Sequence, residues 1–195
     1  PYSSSKAAAD IATQSWRFSF GEKPISIARA GNVIGGGDWA SDRIIPDIIK
    51  SFKSGKTLIL RNPDAIRPWQ HVLDCLWGYY EMINLMQNSN ENLILNIGPD
   101  QNDIHPVSDV INSINDKLNG QLNWELQDTR EYSETHMLTL DNSQAKLKLN
   151  WSNKLDFKKS IDWTVSWYVD FHSGVNANYL LRNNISNYLE LSKSL

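Results

Sequence analysis

A chain of 195 residues with 41% hydrophobic residues and eight tryptophans can bury a sizeable core and reads as globular rather than disordered. Its formal charge of −3, with no run of Lys and Arg, argues against nucleic acid as the main partner, because neutralising a phosphate backbone needs clustered cations. Cys75 is the only cysteine, and His71, His105, His136 and His172 are dispersed, which excludes an internal disulfide framework and a cysteine-rich zinc site and leaves no metal-ligand spacing. No apolar stretch approaches the roughly 20 residues of a membrane span and no signal peptide is visible, so no membrane partner and a cytoplasmic location are expected.

Taken in chain order, Tyr2 to about Ser19 reads as a helix with Ala8, Ala12 and Trp16 on one stripe, closed by Gly21 and Pro24. Ile25 to Arg29 alternates as a strand does. After Gly35-Gly36-Gly37, helical spacing returns in Ile45, Ile48, Ile49 and Phe52, with Pro46 in the first turn and Gly55 as the stop. Leu58 to Leu60 predicts a short buried strand, Asn62-Pro63-Asp64 a turn, and Arg67 to Val72 an extended run. A helix beginning near Asp74 is expected to turn Leu76, Tyr80 and Ile83 inward, with Asp74 as its cap rather than a catalytic group. Leu93 to Ile97 is the next strand, halted by Gly98-Pro99.

Val107, Val110, Ile111, Ile114 and Leu118 give the cleanest helical signature, closed by Gly120. Leu122, Trp124 and Leu126 alternate with polar neighbours and predict a half-buried strand. Asp141-Asn142-Ser143 caps a short helix ending before Trp151, Asp156 caps a longer one to about His172, and Tyr179 to Leu191 forms the last. Periodicity thus establishes an α/β chain without internal repeats.

Tyr2 and Lys6 stand four residues apart, which on a helix places both side chains on one face, a turn from each other. A tyrosine is a poor base at a pKa of about 10, and a nearby fixed ammonium is one of the few ways to favour its ionised form. The chemistry this suggests is proton transfer at a sugar or alcohol hydroxyl, although the same spacing arises by chance in ordinary helices. Two further strings accompany it. They are Ala28-Arg29-Ala30-Gly31-Asn32-Val33-Ile34-Gly35-Gly36-Gly37-Asp38-Trp39 and Arg61-Asn62-Pro63-Asp64-Ala65-Ile66-Arg67-Pro68-Trp69-Gln70-His71-Val72.

In this order and at these intervals the strings resemble the extended short-chain dehydrogenase/reductase family of NAD-dependent epimerases and dehydratases. The resemblance is to the second half of its CDP-glucose 4,6-dehydratases, from Pro1 to about Tyr168 and more faintly to Leu195. It implies the C-terminal half of a Rossmann-like parallel sheet interleaved with a smaller α/β substrate-binding domain. Residues 1–40 and 72–98 would finish the NAD-binding sheet, and 41–71 and 99–195 would bind the nucleotide sugar. It also implies NAD as cofactor, CDP-glucose as substrate, a possible homodimer for the parent enzyme, and a place in surface polysaccharide synthesis.

The implied reaction converts CDP-glucose to CDP-4-keto-6-deoxyglucose: Tyr2 takes the proton of the sugar 4-hydroxyl as hydride leaves for NAD, water is lost across C5 and C6, and hydride returns to C6. Lys6 would hold Tyr2 ionised and bind the nicotinamide ribose, and Arg29 would lie with the cofactor. The glycine-rich pyrophosphate loop, the serine or threonine beside the reacting hydroxyl and the acid/base pair for water loss belong to a first half preceding Tyr2, so this chain is expected to be inactive alone. Rival readings are a sibling nucleotide-sugar epimerase or dehydratase and a non-catalytic nucleotide-sugar-binding fragment.

A diphosphate calls for guanidinium groups or backbone amides at fixed positions, and the planar arginine fork grips phosphate oxygens bidentately. Arg67, which opens the Arg-x-Trp-x-His-Val string, matches the family's diphosphate contact, against the alternative of a surface arginine before a strand. Arg43 precedes Ile44-Ile45-Pro46, whose counterpart lies along the nucleotide, and Arg61 would sit near base or ribose. Asn32, three residues after Arg29, matches the family's substrate asparagine, and ligands of open α/β sheets gather at the carboxyl edge of the strands. Gly35-Gly36-Gly37 is not a G-x-G-x-x-G string and reads as a substrate loop. Glu134 and His136 would fall in a polar loop over the substrate, and Trp39 and Trp69 would wall the sugar, stack on the base or pack structurally.

Overall fold

The computed structural model describes residues 1–120, 122–127 and 135–191. Helices and strands alternate through most of the chain: α1 (Tyr2–Phe20), β1 (Ile27–Ala30), β2 (Asn32–Ile34), α2 (Ile44–Ser54), β3 (Leu58–Leu60), β4 (Ile66–Arg67), β5 (Trp69–His71) and α3 (Val72–Ser89). β6 (Ile94–Ile97), β7 (His105–Pro106), α4 (Val107–Lys117), β8 (Trp124–Leu126), α5 (Ser143–Leu149), α6 (Phe157–His172) and α7 (Ala177–Leu191) follow. Among the described residues the strands form four two-stranded ladders. β1 with β6, β2 with β5 and β3 with β8 are parallel, while β4 with β7 is antiparallel. None of the described helices is long and apolar enough to cross a membrane.

Two apolar clusters hold these elements. The larger gathers Ile45, Ile48 and Ile49 of α2, Leu58 and Leu60 of β3, Val110, Ile111 and Ile114 of α4, and Ile161 and Val165 of α6. The smaller joins Met82 of α3, Leu93, Leu95 and Ile97 around β6, Ala145 and Leu149 of α5, and Trp151. Ile48, Ile97, Ile111 and Ile114 are fully buried. At about 2 kcal/mol for each such side chain, the clusters are the main force joining helices to strands.

The local signals place most boundaries. Gly55 takes φ 63°, where a left-handed residue ends α2, and the Asp156 carboxylate accepts the Lys159 N–H at 2.8 Å to start α6. Faces are a different matter. The Ala8, Ala12 and Trp16 stripe is exposed, and α1 buries no residue. On α3 the expected inward residues Leu76, Tyr80 and Ile83 are each about half exposed, and Cys75, Gly78 and Met82 face the core instead. The reason is close packing: a Cβ on Gly78 would stand 2.7 Å from Ile97, so the bare backbone there lets α3 lie on β6. β3 exposes Ile59, and all of β8 is exposed, so the alternation at Leu122, Trp124 and Leu126 buries only Leu122.

α3 begins at Val72 and is capped by His71, whose Nδ1 accepts the Leu73 N–H at 3.2 Å, so Asp74 is not its cap. The glycine run serves packing: a Cβ on Gly36 would overlap the Trp167 ring, while Gly37 holds φ 85°. Trp39 lies in the same aromatic group, with Trp167, Tyr168 and Phe171 ring centres 5.2–6.5 Å away. Gly36→Ala is expected to destabilise the chain by about 1–3 kcal/mol, the usual cost of overpacking, read as a lower thermal midpoint. An unchanged midpoint would show that Trp167 gives way freely.

Candidate active site

One cleft, of about 950 Å³, runs along the carboxyl ends of β1 and β2. The sequence builds it by close backbone approach. A Cβ on Gly31 would stand 2.6 Å from the Pro68 carbonyl, and the Asn32 N–H donates to that oxygen at 3.0 Å. β2 then pairs with β5, setting Asn32 opposite Trp69. Arg43, Ile44, Ile45 and Pro46 bring the start of α2 to the same cleft, where no side chain caps the helix. Tyr2 enters from the first turn of α1, and Val107, Thr135, Leu138 and Leu140 complete the wall.

Of the residues expected in the site, Tyr2, Asn32, Arg43 and Arg67 line this one cleft, and so does Trp69. Lys6 follows Tyr2 by one turn on α1 but is not a lining residue. Arg67 is 7% exposed, and its Nη1 donates to the Ile66 carbonyl at 2.7 Å and to the His136 carbonyl at 3.4 Å. His136 therefore meets Arg67 through its backbone, and its side chain is exposed. Arg43 pairs with Asp38 at 3.2 Å, and Arg61, outside the lining, lies 3.5 Å from Asp42.

Arg29 also lies outside the lining. It grips Asp10 through Nε at 2.6 Å and Nη2 at 3.1 Å, fastening α1 to β1 and holding the Asp10 carboxyl below its ordinary range. Glu134 lies outside the described residues. Asp38 and Asp42 were missed by sequence reasoning, though both line the cleft. Asp38 stood within the Gly-Gly-Gly-Asp-Trp string; Asp42, at φ 59°, carries no signal in the sequence.

Chemically, the cleft offers a phenol, an amide side chain, two guanidiniums, the carboxylates of Asp38 and Asp42, and an apolar wall. The Tyr2 hydroxyl and the Lys6 amine, a turn apart, suit the diol of a nicotinamide riboside. The glycine run does not suit a pyrophosphate: it packs on Trp167 and opens no helix. Among the described residues no group of three or more His, Cys, Asp or Glu side chains is placed to hold a metal ion.

These features define an α/β protein of the Rossmann-like class with its cleft at the strand ends. Residues 1–98 match the model of the NAD dependent epimerase/dehydratase family, and the chain belongs to that family, whose cofactor is NAD. The chain is 33% identical to a CDP-glucose 4,6-dehydratase of Salmonella typhimurium, over 97% of the chain and 55% of the relative. The crystal structure of a dTDP-glucose 4,6-dehydratase from Bacillus anthracis in complex with NAD superposes with a TM-score of 0.71 at 23% identity, covering 87% of this chain and 52% of that one. A UDP-glucuronic acid 4-epimerase from Bacillus cereus, in complex with UDP-glucuronic acid and NAD, gives 0.75 at 18% identity, covering 88% and 53%. The chain spans about half the length of the curated relatives it matches.

Proposed function

We propose that this chain carries the nucleotide-sugar cleft and the proton-transfer helix of a CDP-glucose 4,6-dehydratase, a lyase forming CDP-4-keto-6-deoxyglucose. The observation that carries the reading is the convergence of Tyr2, Asn32, Arg43 and Arg67 on one cleft, from four separate stretches of sequence. The choice of CDP-glucose rests on the Salmonella relative.

In this reading Arg67 and Arg43, with the uncapped start of α2, hold the diphosphate, since guanidiniums and free amides at a helix N-terminus both favour phosphate oxygens. Asn32 donates its amide to the same group. Tyr2 accepts the proton of the sugar 4-hydroxyl, and Lys6, one turn along α1, reaches the nicotinamide ribose. Tyr2 and Lys6 would hold the nicotinamide ribose of NAD, which would supply a reversible hydride acceptor for the sugar. Val107, Leu138 and Leu140 keep water from the sugar. Residues 1–40 and 72–98 would serve the cofactor, and 41–71 and 99–195 the substrate.

Calorimetric titration with CDP, UDP and dTDP tests the reading. CDP is expected to bind in preference, and Arg67→Ala to weaken it about tenfold or more through loss of charge-assisted hydrogen bonds. Equal indifference to all three nucleotides would defeat the proposal, and an unchanged affinity in a folded Arg67→Ala variant would remove Arg67 from the site.

A further inference from the structure

His105 lies outside the cleft lining, yet its ring is the most completely gripped histidine side chain among the described residues. Nδ1 stands 3.0 Å from the Asp109 carboxylate and Nε2 stands 3.2 Å from that of Asp103. The ring lies flat on Phe157, with centres 3.9 Å apart and planes inclined by 18°. One carboxylate thus stands against each ring nitrogen, so the imidazole is held from both edges. Asp103 is fixed in turn, because its other oxygen accepts the Phe157 N–H at 3.0 Å at the start of α6. Asp109 sits in the first turn of α4, where a negative charge suits the helix dipole.

The backbone of His105 leads directly into the cleft. His105 and Pro106 make up the whole of β7, opposite β4 with Arg67 across from His105. The His105 carbonyl accepts the Trp69 indole N–H at 3.0 Å, and Val107 follows two residues later. Arg67, Trp69 and Val107 all line the cleft. A two-residue ladder fixes its own register weakly, so side-chain anchorage decides where such a strand rests.

We propose that His105 is a positioning residue of the nucleotide cleft: gripped by Asp103 and Asp109 and laid on Phe157, it sets β7, which holds the Trp69 indole N–H through the His105 carbonyl and so aims the Arg67 guanidinium opposite it at the bound diphosphate. The inference rests on the nucleotide-sugar reading of the cleft. Its energetic signature is coupling, since a residue acting through Arg67 has no separate effect once Arg67 is gone.

The test combines a mutant cycle with a ligand-free readout. His105→Ala is expected to weaken CDP binding about fivefold to tenfold in calorimetry, and the His105→Ala/Arg67→Ala double variant to bind no more weakly than Arg67→Ala alone. Without ligand, the Trp69 indole N–H resonance, assigned by its loss in Trp69→Phe, is expected to shift in His105→Ala. Asp109→Asn, which alters a partly exposed side chain, is expected to give the same shift and a smaller loss, and it decides the matter if His105→Ala does not fold. Additive losses, or a Trp69 resonance that stays in place, would overturn the inference while leaving the site reading intact. Wild-type chain that binds none of the nucleotides would overturn both.

Discussion

Asp74→Ala is expected to destabilise the folded chain by about 3–5 kcal/mol, because three donors, two of them in buried hydrogen bonds, lose their acceptor at once. Asp74 is fully buried. Its Oδ1 accepts the Lys154 N–H at 2.8 Å and the Tyr188 hydroxyl at 2.7 Å, and its Oδ2 accepts the Leu155 N–H at 3.2 Å. The Asp74 carbonyl also takes the Trp151 indole N–H at 3.2 Å, so this residue ties α3 to the segment before α6 and to α7. Burial pushes the Asp74 carboxyl up against the opposing pull of these donors, and burial followed by the Asp74 charge pushes the Tyr188 hydroxyl up as well. The measurement is the urea midpoint, expected to fall by about 1–2 M. A midpoint within a few tenths of wild type would mean that water replaces the carboxylate and that the joint carries little.

Acidification is expected to destabilise the chain through His71, by about 3 kcal/mol at most. The ring is 1% exposed, and burial lowers its pKa to about 4 from 6.5. Between those values the unfolded chain binds a proton that the folded chain refuses, so stability falls as pH drops from about 6.5 towards 4 and is fully present above that window. The tautomer agrees. Nδ1 accepts the Leu73 N–H and must be bare, so a proton there would break the α3 cap.

His172, lowered by partial burial and then by Lys53, adds a smaller slope of the same sign because it is largely exposed. Asp74, with its carboxyl raised, gives a slope of opposite sign just above pH 3.8, where the folded state holds the extra proton. Urea midpoints across pH 7.5 to 4.5 are expected to flatten in His71→Gln relative to wild type. Parallel curves would assign the acid sensitivity elsewhere.

Much of the architecture was legible because its signals are local. A left-handed Gly55, an Asp156 cap and an Ile-rich 3.6-residue period act within one turn of chain, so α2, α4 and α6 could be drawn from the sequence. The same holds for Tyr2 and Lys6, whose spacing alone puts them on one helical face. α3 was harder, since Leu76, Tyr80 and Ile83 have the same period as Cys75, Gly78 and Met82. The choice between those faces depends on Ile97 and Trp151, which arrive from distant sequence and press on Gly78.

The amino-acid sequence by itself determined the α/β order and most helix limits, which follow from neighbours a few residues away, and the strings whose family resemblance supplied the candidates Tyr2, Asn32, Arg43 and Arg67. Only the tertiary structure decided that those four share one cleft, that Asp38 and Asp42 enter it, that Asp74 is an internal joint and that His105 is clamped between two carboxylates. Burial and electrostatic pairing depend on which remote elements meet, and that is settled by packing in three dimensions rather than by spacing along the chain.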